Sequence, residues 1–229
     1  MNRVLGGDGT QARSLFIEVN RDTILKFFDV YYGVDTWEER LPLVRRPEKA
    51  RPLMAAYYAE HPLEERPSAE GMRIGTLWNE DKEYALAVIP ETVTGQHLHY
   101  AFEPSADGLL LDWESTVGYS EIGLDELLKE RPEGDRLVRV RLDVYHYYNY
   151  LYEDPDEWVC FRAEQRGVDQ WYYGYIRKDS PGYVALKEAM GNSAAQAIYP
   201  TLKVRVNPES KSEDQFEIVE VVNRYWLIP

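Results

Sequence analysis

Residues 136–150 read RLVRVRLDVYHYYNY, and the layout of this stretch decides the fold of the C-terminal half. It is predicted to be one long β-strand, rich in β-branched and aromatic residues. Successive side chains of a strand face opposite ways. Tyr145 and Tyr147 would therefore share a face with Asp143, and Val144, His146, Tyr148 and Tyr150 would share the other. Two further strands follow, EWVCFRAEQ (157–165) and QWYYGYIRK (170–178), parted by a turn at Arg166–Asp169. SPGYVALKEAM (180–190) has the form of a helix, with Ser180 as cap, Pro181 at the first position and Gly191 as stop. TLKVRVN (201–207) and QFEIVEVVNRYWL (215–227) add two strands around the polar turn PESKSED. Three strands, a helix and two strands is the connectivity of the OB-fold, a five-stranded Greek-key barrel, expected here over residues 135–229.

Upstream the period changes. SLFIEVNRDTILKFFDVYY places Leu15, Val19, Ile24, Phe27, Phe28 and Tyr31 near a 3.6-residue repeat, with Gly33 as the stop. Thr36 with Glu39 three residues on has the form of a capping box, and Leu41, Leu43 and Val44 follow as a short apolar face. A third helix is expected to start near Glu48, which keeps Pro52 in its first turn, with Leu53, Met54, Tyr57 and Tyr58 as its contact face. From residue 72 a period of two predicts antiparallel strands through GTLWNE, EYALAVIP, HLHYAFEP and GLLLDWEST, with a turn at Ala106–Gly108. SEIGLDELLKERPEG is a short helix capped by Ser120, with Leu124, Leu127 and Leu128 on its apolar side. The chain thus reads as α+β. Residues 1–14 form a Gly-rich leader, 15–118 an N-terminal domain of three helices and an antiparallel sheet, 119–134 a connecting helix, and 135–229 the barrel.

Two stretches of the chain resemble known groups. The Tyr-rich first strand, EWVCF, the Y-G-Y of the third strand and EIVEVVNRYW make residues 136–228 similar to OB-fold domains described as tRNA-anticodon-binding-like. The three helices and bent strands of the first half resemble the cone-shaped NTF2-like fold. PEKARPLMAAYYAEHPLE and LLLDWESTVGYSE are similar to stretches of a set of uncharacterised bacterial proteins. Those proteins combine an NTF2-like region with a C-terminal OB-like barrel, often behind an N-terminal membrane anchor. The resemblance implies no particular activity. It implies the cell envelope as compartment; this chain departs from the set in lacking the anchor, and its opening MNRVLGGDGTQAR reads either as a flexible leader or as the remnant of a longer natural chain that was trimmed.

Composition narrows the function classes. In 229 residues, 40 acidic side chains against 26 basic ones give a formal charge of -14, which repels phosphate backbones and anionic membranes. This argues against nucleic acid as a partner. No run of the sequence approaches a membrane span. The one cysteine, Cys160, lies between Val159 and Phe161 and reads as a buried small hydrophobe; with no second cysteine there is neither a disulfide nor a cysteine-based zinc cluster. No G-x-S-x-G, Walker-type loop or G-x-G-x-x-G is present, and no cofactor is expected.

Three sets of residues remain as candidates. The tyrosines Tyr145, Tyr147, Tyr148, Tyr150, Tyr172 and Tyr173 could form a binding surface, since tyrosine offers large rigid contact area with a polar tip. An acidic barrel carrying them points to a protein partner and a non-catalytic scaffolding role, against the bland reading of core packing. Asp112 and Glu114, on one face of a strand, could act with His99 as an acid–base set in an N-terminal cavity; the bland reading has Trp113 inside and both carboxylates in water. His97, His99 and Glu103 have the spacing of a two-histidine, one-glutamate metal motif, without the glycines that flank it in cupins.

Overall fold

The computed structural model describes residues 19–79, 81–90, 97–168, 170–191 and 197–229. Contacts divide the chain into two compact units, with the break between Thr116 and Val117. Both mix helices with a largely antiparallel sheet, as the α+β reading expects.

In the first unit, α1 (Arg21–Tyr31) begins where the Asn20 side chain accepts a hydrogen bond from the Thr23 N–H at 3.1 Å. The helix therefore starts later than the apolar repeat suggested: Val19 is not helical, and Leu15 lies outside the described residues. Ile24, Phe27, Phe28 and Tyr31 are buried on one face. α2 (Trp37–Arg40) carries the expected capping box, Glu39 accepting from the Thr36 N–H at 3.2 Å, and a 3-10 turn follows at Leu41–Leu43. α3 (Pro47–Glu60) starts one residue before the expected position. Pro52 consequently lies inside the helix, past the first turn, where it removes one ladder bond.

Four strands, β1 (Arg73–Asn79), β2 (Lys82–Pro90), β3 (His97–Ser105) and β4 (Gly108–Leu111), pair in sequence order. Their α1-facing side carries Tyr100 and Phe102, which meet Phe28 and Phe27 edge-on at 4.9 and 5.1 Å. β4 stops at Leu111, where a strand through Thr116 was expected. The Asp112 carboxylate accepts the Ser115 N–H at 2.9 Å, and its carbonyl takes the hydroxyls of Ser115 and Thr116 at 3.1 and 2.8 Å. That capping turns the chain into α4 (Trp113–Val117).

The second unit opens with α5 (Leu124–Glu130), whose Leu124, Leu127 and Leu128 lie in the core of that unit. Its cap is Gly123 rather than Ser120: the Leu124 N–H is satisfied by Gln165 Oε1 at 2.7 Å, and Ser120 Oγ accepts instead from the Arg139 N–H at 2.9 Å. The expected long strand is interrupted. It forms β5 (Arg136–Arg139) and β6 (Arg141–Tyr145), and after Tyr145 the chain leaves the sheet and makes a 3-10 turn at Tyr150–Tyr152. β7 (Trp158–Glu164), β8 (Trp171–Arg177), α6 (Pro181–Met190), β9 (Thr201–Arg205) and β10 (Gln215–Asn223) complete the unit, with Ser180 capping α6 as expected.

These strands form one six-stranded sheet in the order β5-β9-β10-β8-β7-β6, in place of the closed five-stranded barrel that was expected. The two outermost strands are consecutive in sequence, parted by Val140 alone. The Val140 N–H donates to the Pro200 carbonyl at 3.4 Å, and Leu142 and Ile198 exchange bonds of 2.8 and 3.0 Å. β8 and β10 run parallel; the other pairs are antiparallel. At the parallel crossing, Gly174 lies opposite Phe216. A Cβ there would sit 2.8 Å from the Phe216 ring, so only glycine admits this close approach.

Candidate ligand groove

Most of the tyrosine run is used to cover the sheet. Tyr152, Cys160 and Tyr175 form a small buried cluster, with Tyr147, Tyr148, Trp158 and Tyr173 packed against it. Tyr152 stacks on Tyr175 at 4.1 Å and 9°, and meets Trp158 edge-on at 5.0 Å. The Tyr175 hydroxyl donates to the Tyr147 carbonyl at 2.7 Å and accepts from Gln215 Nε2 at 2.9 Å, so the overlay is hydrogen-bonded as well as stacked. Burial pushes the Tyr152 and Tyr175 hydroxyls above their ordinary value and the Cys160 thiol up to about 11. Cys160 is thus the inert buried residue expected from its neighbours.

The six candidate tyrosines separate by exposure. Tyr172 is buried with its ring in the apolar core, and Tyr147, Tyr148 and Tyr173 are half-buried in the overlay. Tyr145 and Tyr150 remain open, at 41% and 65% exposure. The strand-face assignment fails beyond Tyr145 because residues 146–150 are not in a strand. Trp171, 52% exposed on β8, and Leu151, 38% exposed, are further open apolar side chains of this unit and were not singled out from the sequence. The alternation of Trp171, Tyr173 and Tyr175 along QWYYGYIRK held that signal.

Beside the overlay runs a groove of about 780 Å3, bounded by α5, by Tyr147 and Tyr150, by Gln170 and Tyr172, and by the loop between β9 and β10. Arg131, just after α5, fixes one wall: its guanidinium donates to the carbonyls of Ser210 and Ser212 at 2.5 and 2.7 Å. Lys129 is paired with Glu130 at 3.2 Å. Among the described residues, three non-glycine residues have positive φ, and two of them, Arg131 (46°) and Tyr150 (53°), line this groove. The left-handed conformation costs a non-glycine residue about 1–2 kcal/mol. The two guanidinium bonds of Arg131 offset that cost. Tyr150 keeps it while its ring stays in water, the pattern of a residue strained for display.

Asp112 is not free to serve in the acid–base set. Arg45 is buried and donates through Nε to Glu103 Oε2 at 2.7 Å, through a terminal nitrogen to Asp112 Oδ2, and through the other to the Tyr84 hydroxyl at 3.3 Å. With Ser115 on its second oxygen, Asp112 has both carboxylate oxygens committed. It is buried where the bland reading had it in water; Trp113 is inside, as that reading expected. Glu114 rides on α4 rather than on a strand face with Asp112, and His99 lies on β3 opposite Val88. The metal motif does not gather either: Glu103 is held by Arg45, and His97 Nε2 lies 3.4 Å from the Arg73 guanidinium. Among the described residues no three His, Cys, Asp or Glu side chains are grouped to hold a metal ion.

No protein-family model matches this chain, and no curated protein matches it in sequence. The groove and the exposed rings beside it carry the functional reading.

Proposed function

We propose that this protein is a non-catalytic interaction module that binds a protein partner through the groove and open aromatic surface of its second unit. The observation that carries this reading is Tyr150, held at φ 53° with 65% of its surface in solvent on the groove's rim. Tyr145, Leu151 and Trp171 are further exposed apolar side chains of the same unit. Large aromatic residues of this kind are the usual anchors of protein interfaces.

The proposed build of the second unit is OB-like. Taking β5 and β6 as two halves of one bent strand, the order becomes first, fourth, fifth, third, second and first again, with α6 between third and fourth. The groove then lies between the two loops with which such barrels grip polymers. The first unit, helices followed by a four-stranded meander, supports the NTF2-like reading. With the chain at a charge of -14, a protein partner suits the surface better than a phosphate polymer. The cell envelope is the compartment the resemblance implies; among the described residues no helix is long and apolar enough to cross a membrane.

Site-specific photocrosslinking in cells of the source organism tests this. A photoreactive phenylalanine at Tyr150 or Trp171 should yield one discrete protein adduct, and the same probe at Val30, which is 55% exposed in the first unit, should not. Equal adducts from all three positions, or tight salt-sensitive binding of single-stranded RNA or DNA in a gel shift, would overturn the reading.

A further inference from the structure

β1 is the open edge of the first sheet. Among the described residues the order β1-β2-β3-β4 leaves it with one neighbour, whereas β4 has a second contact in the bridge between Leu111 and Val44. Edge strands normally carry a device that prevents further pairing, such as a proline, a bulge, an inward charge or a very short length. β1 contains no proline and no bulge, and its one charged residue is Arg73 at the first position. It runs seven residues, RIGTLWN, in unbroken register with β2 from Arg73↔Val88 to Asn79↔Lys82. Its outer apolar side chains are open, Ile74 at 37% and Trp78 at 55% exposure.

The strand also complements itself. Paired antiparallel with a second copy about Thr76, Ile74 stands opposite the partner subunit's Trp78, and Trp78 opposite the partner subunit's Ile74. Thr76 then meets its own equivalent. Ile74, Thr76 and Trp78 lie on one face by the two-residue period, so each aromatic–aliphatic pair forms directly across the new ladder, and forms twice. On the other face Arg73 stands opposite the partner subunit's Asn79. We propose that two copies of this chain associate edge to edge through β1, extending the two four-stranded sheets into one of eight strands about a two-fold axis at Thr76. This surface lies in the first unit, and the inference stands apart from the partner site of the second.

Sedimentation of the whole chain from about 1 µM to about 1 mM should show conversion from one-chain to two-chain mass. Ile74→Lys with Trp78→Lys, at exposed positions, should abolish it and leave the circular dichroism spectrum unchanged. Register is tested by oxidation. Thr76→Cys on the two-fold axis should form an intermolecular disulfide, while Ile74→Cys, four residues from its own equivalent, should not; the native Cys160 is buried and takes no part. A whole chain that stays monomeric throughout would overturn the proposal, including the case where a chain lacking residues 1–18 dimerises and the whole chain does not. So would a dimer unaffected by the double lysine variant, or equal crosslinking from the two cysteine positions.

Discussion

Each unit holds arginines in a carboxylate network, and the two networks sit at different depths. In the first unit the side chains of Arg45 and Asp112 are 3% and 11% exposed. In the second, Arg141, Asp143, Arg162 and Glu164 form a four-membered lattice across β6 and β7, with pairs of 2.8 to 3.6 Å, and water reaches every member. The chemistry is the same in both places. Burial decides what each network does: the first fixes the corner where β4 becomes α4, and the second decorates an outer face. Removing one partner strands a charge in low dielectric in the first case and merely rehydrates it in the second.

Asp112→Ala, which leaves buried Arg45 with Glu103 as its remaining carboxylate and removes the cap on the Ser115 N–H, should lower stability by about 3–5 kcal/mol. Asp143→Ala in the open lattice should cost less than about 1 kcal/mol. Urea denaturation of both variants measures the gap, and equal losses would erase the distinction between the networks.

The tyrosine run sharpens the same comparison within a few residues. Tyr152→Ala removes a fully buried ring stacked on Tyr175 and should cost about 3 kcal/mol or more. Tyr150→Gly should change stability by no more than about 1 kcal/mol, in the stabilising direction, because it relieves the left-handed backbone while losing little packing. Thermal melts of the two variants should move in opposite directions.

The smallest effect is on pH. Tyr31, Tyr32, Tyr58, Tyr152 and Tyr175 are all held above the ordinary phenol value, chiefly by burial, and Cys160 likewise. A group whose folded value is raised holds its proton longer in the folded state. Its contribution is intact below the unfolded value and is lost as pH rises toward the folded one. Stability should therefore be flat near neutrality and fall above about pH 9, contributed to by both units. Tyrosinate absorbance of the folded protein should lag that of the denatured protein over the same range. Coincident titration curves would show that these rings are solvated.

Much of the fold was legible locally. The repeat Ile24–Phe27–Phe28–Tyr31, the capping box at Thr36, the Ser180 cap and the sequential order of strands each follow from residues within a few positions of one another. The failures share a cause. DWEST has strand-like alternation, yet Asp112 pairs with Arg45, 67 positions away, and caps a helix instead. Ser120 has the look of a cap, yet its hydroxyl serves Arg139 and α5 borrows its first bond from Gln165. The candidate tyrosines were found as a group, but their split into covered and open rings depended on where the chain leaves the sheet after Tyr145.

By itself the sequence determined the α+β class, the acidic surface, the apolar faces of the helices and the inertness of Cys160, because each depends on composition or on neighbours along the chain. Tertiary structure alone decided the break at Val140, the burial of Asp112 against Arg45 and the strained display of Tyr150. Those features depend on which distant backbone groups and charges come to share a low-dielectric space. Partners far apart in sequence leave no periodic trace for the sequence to carry.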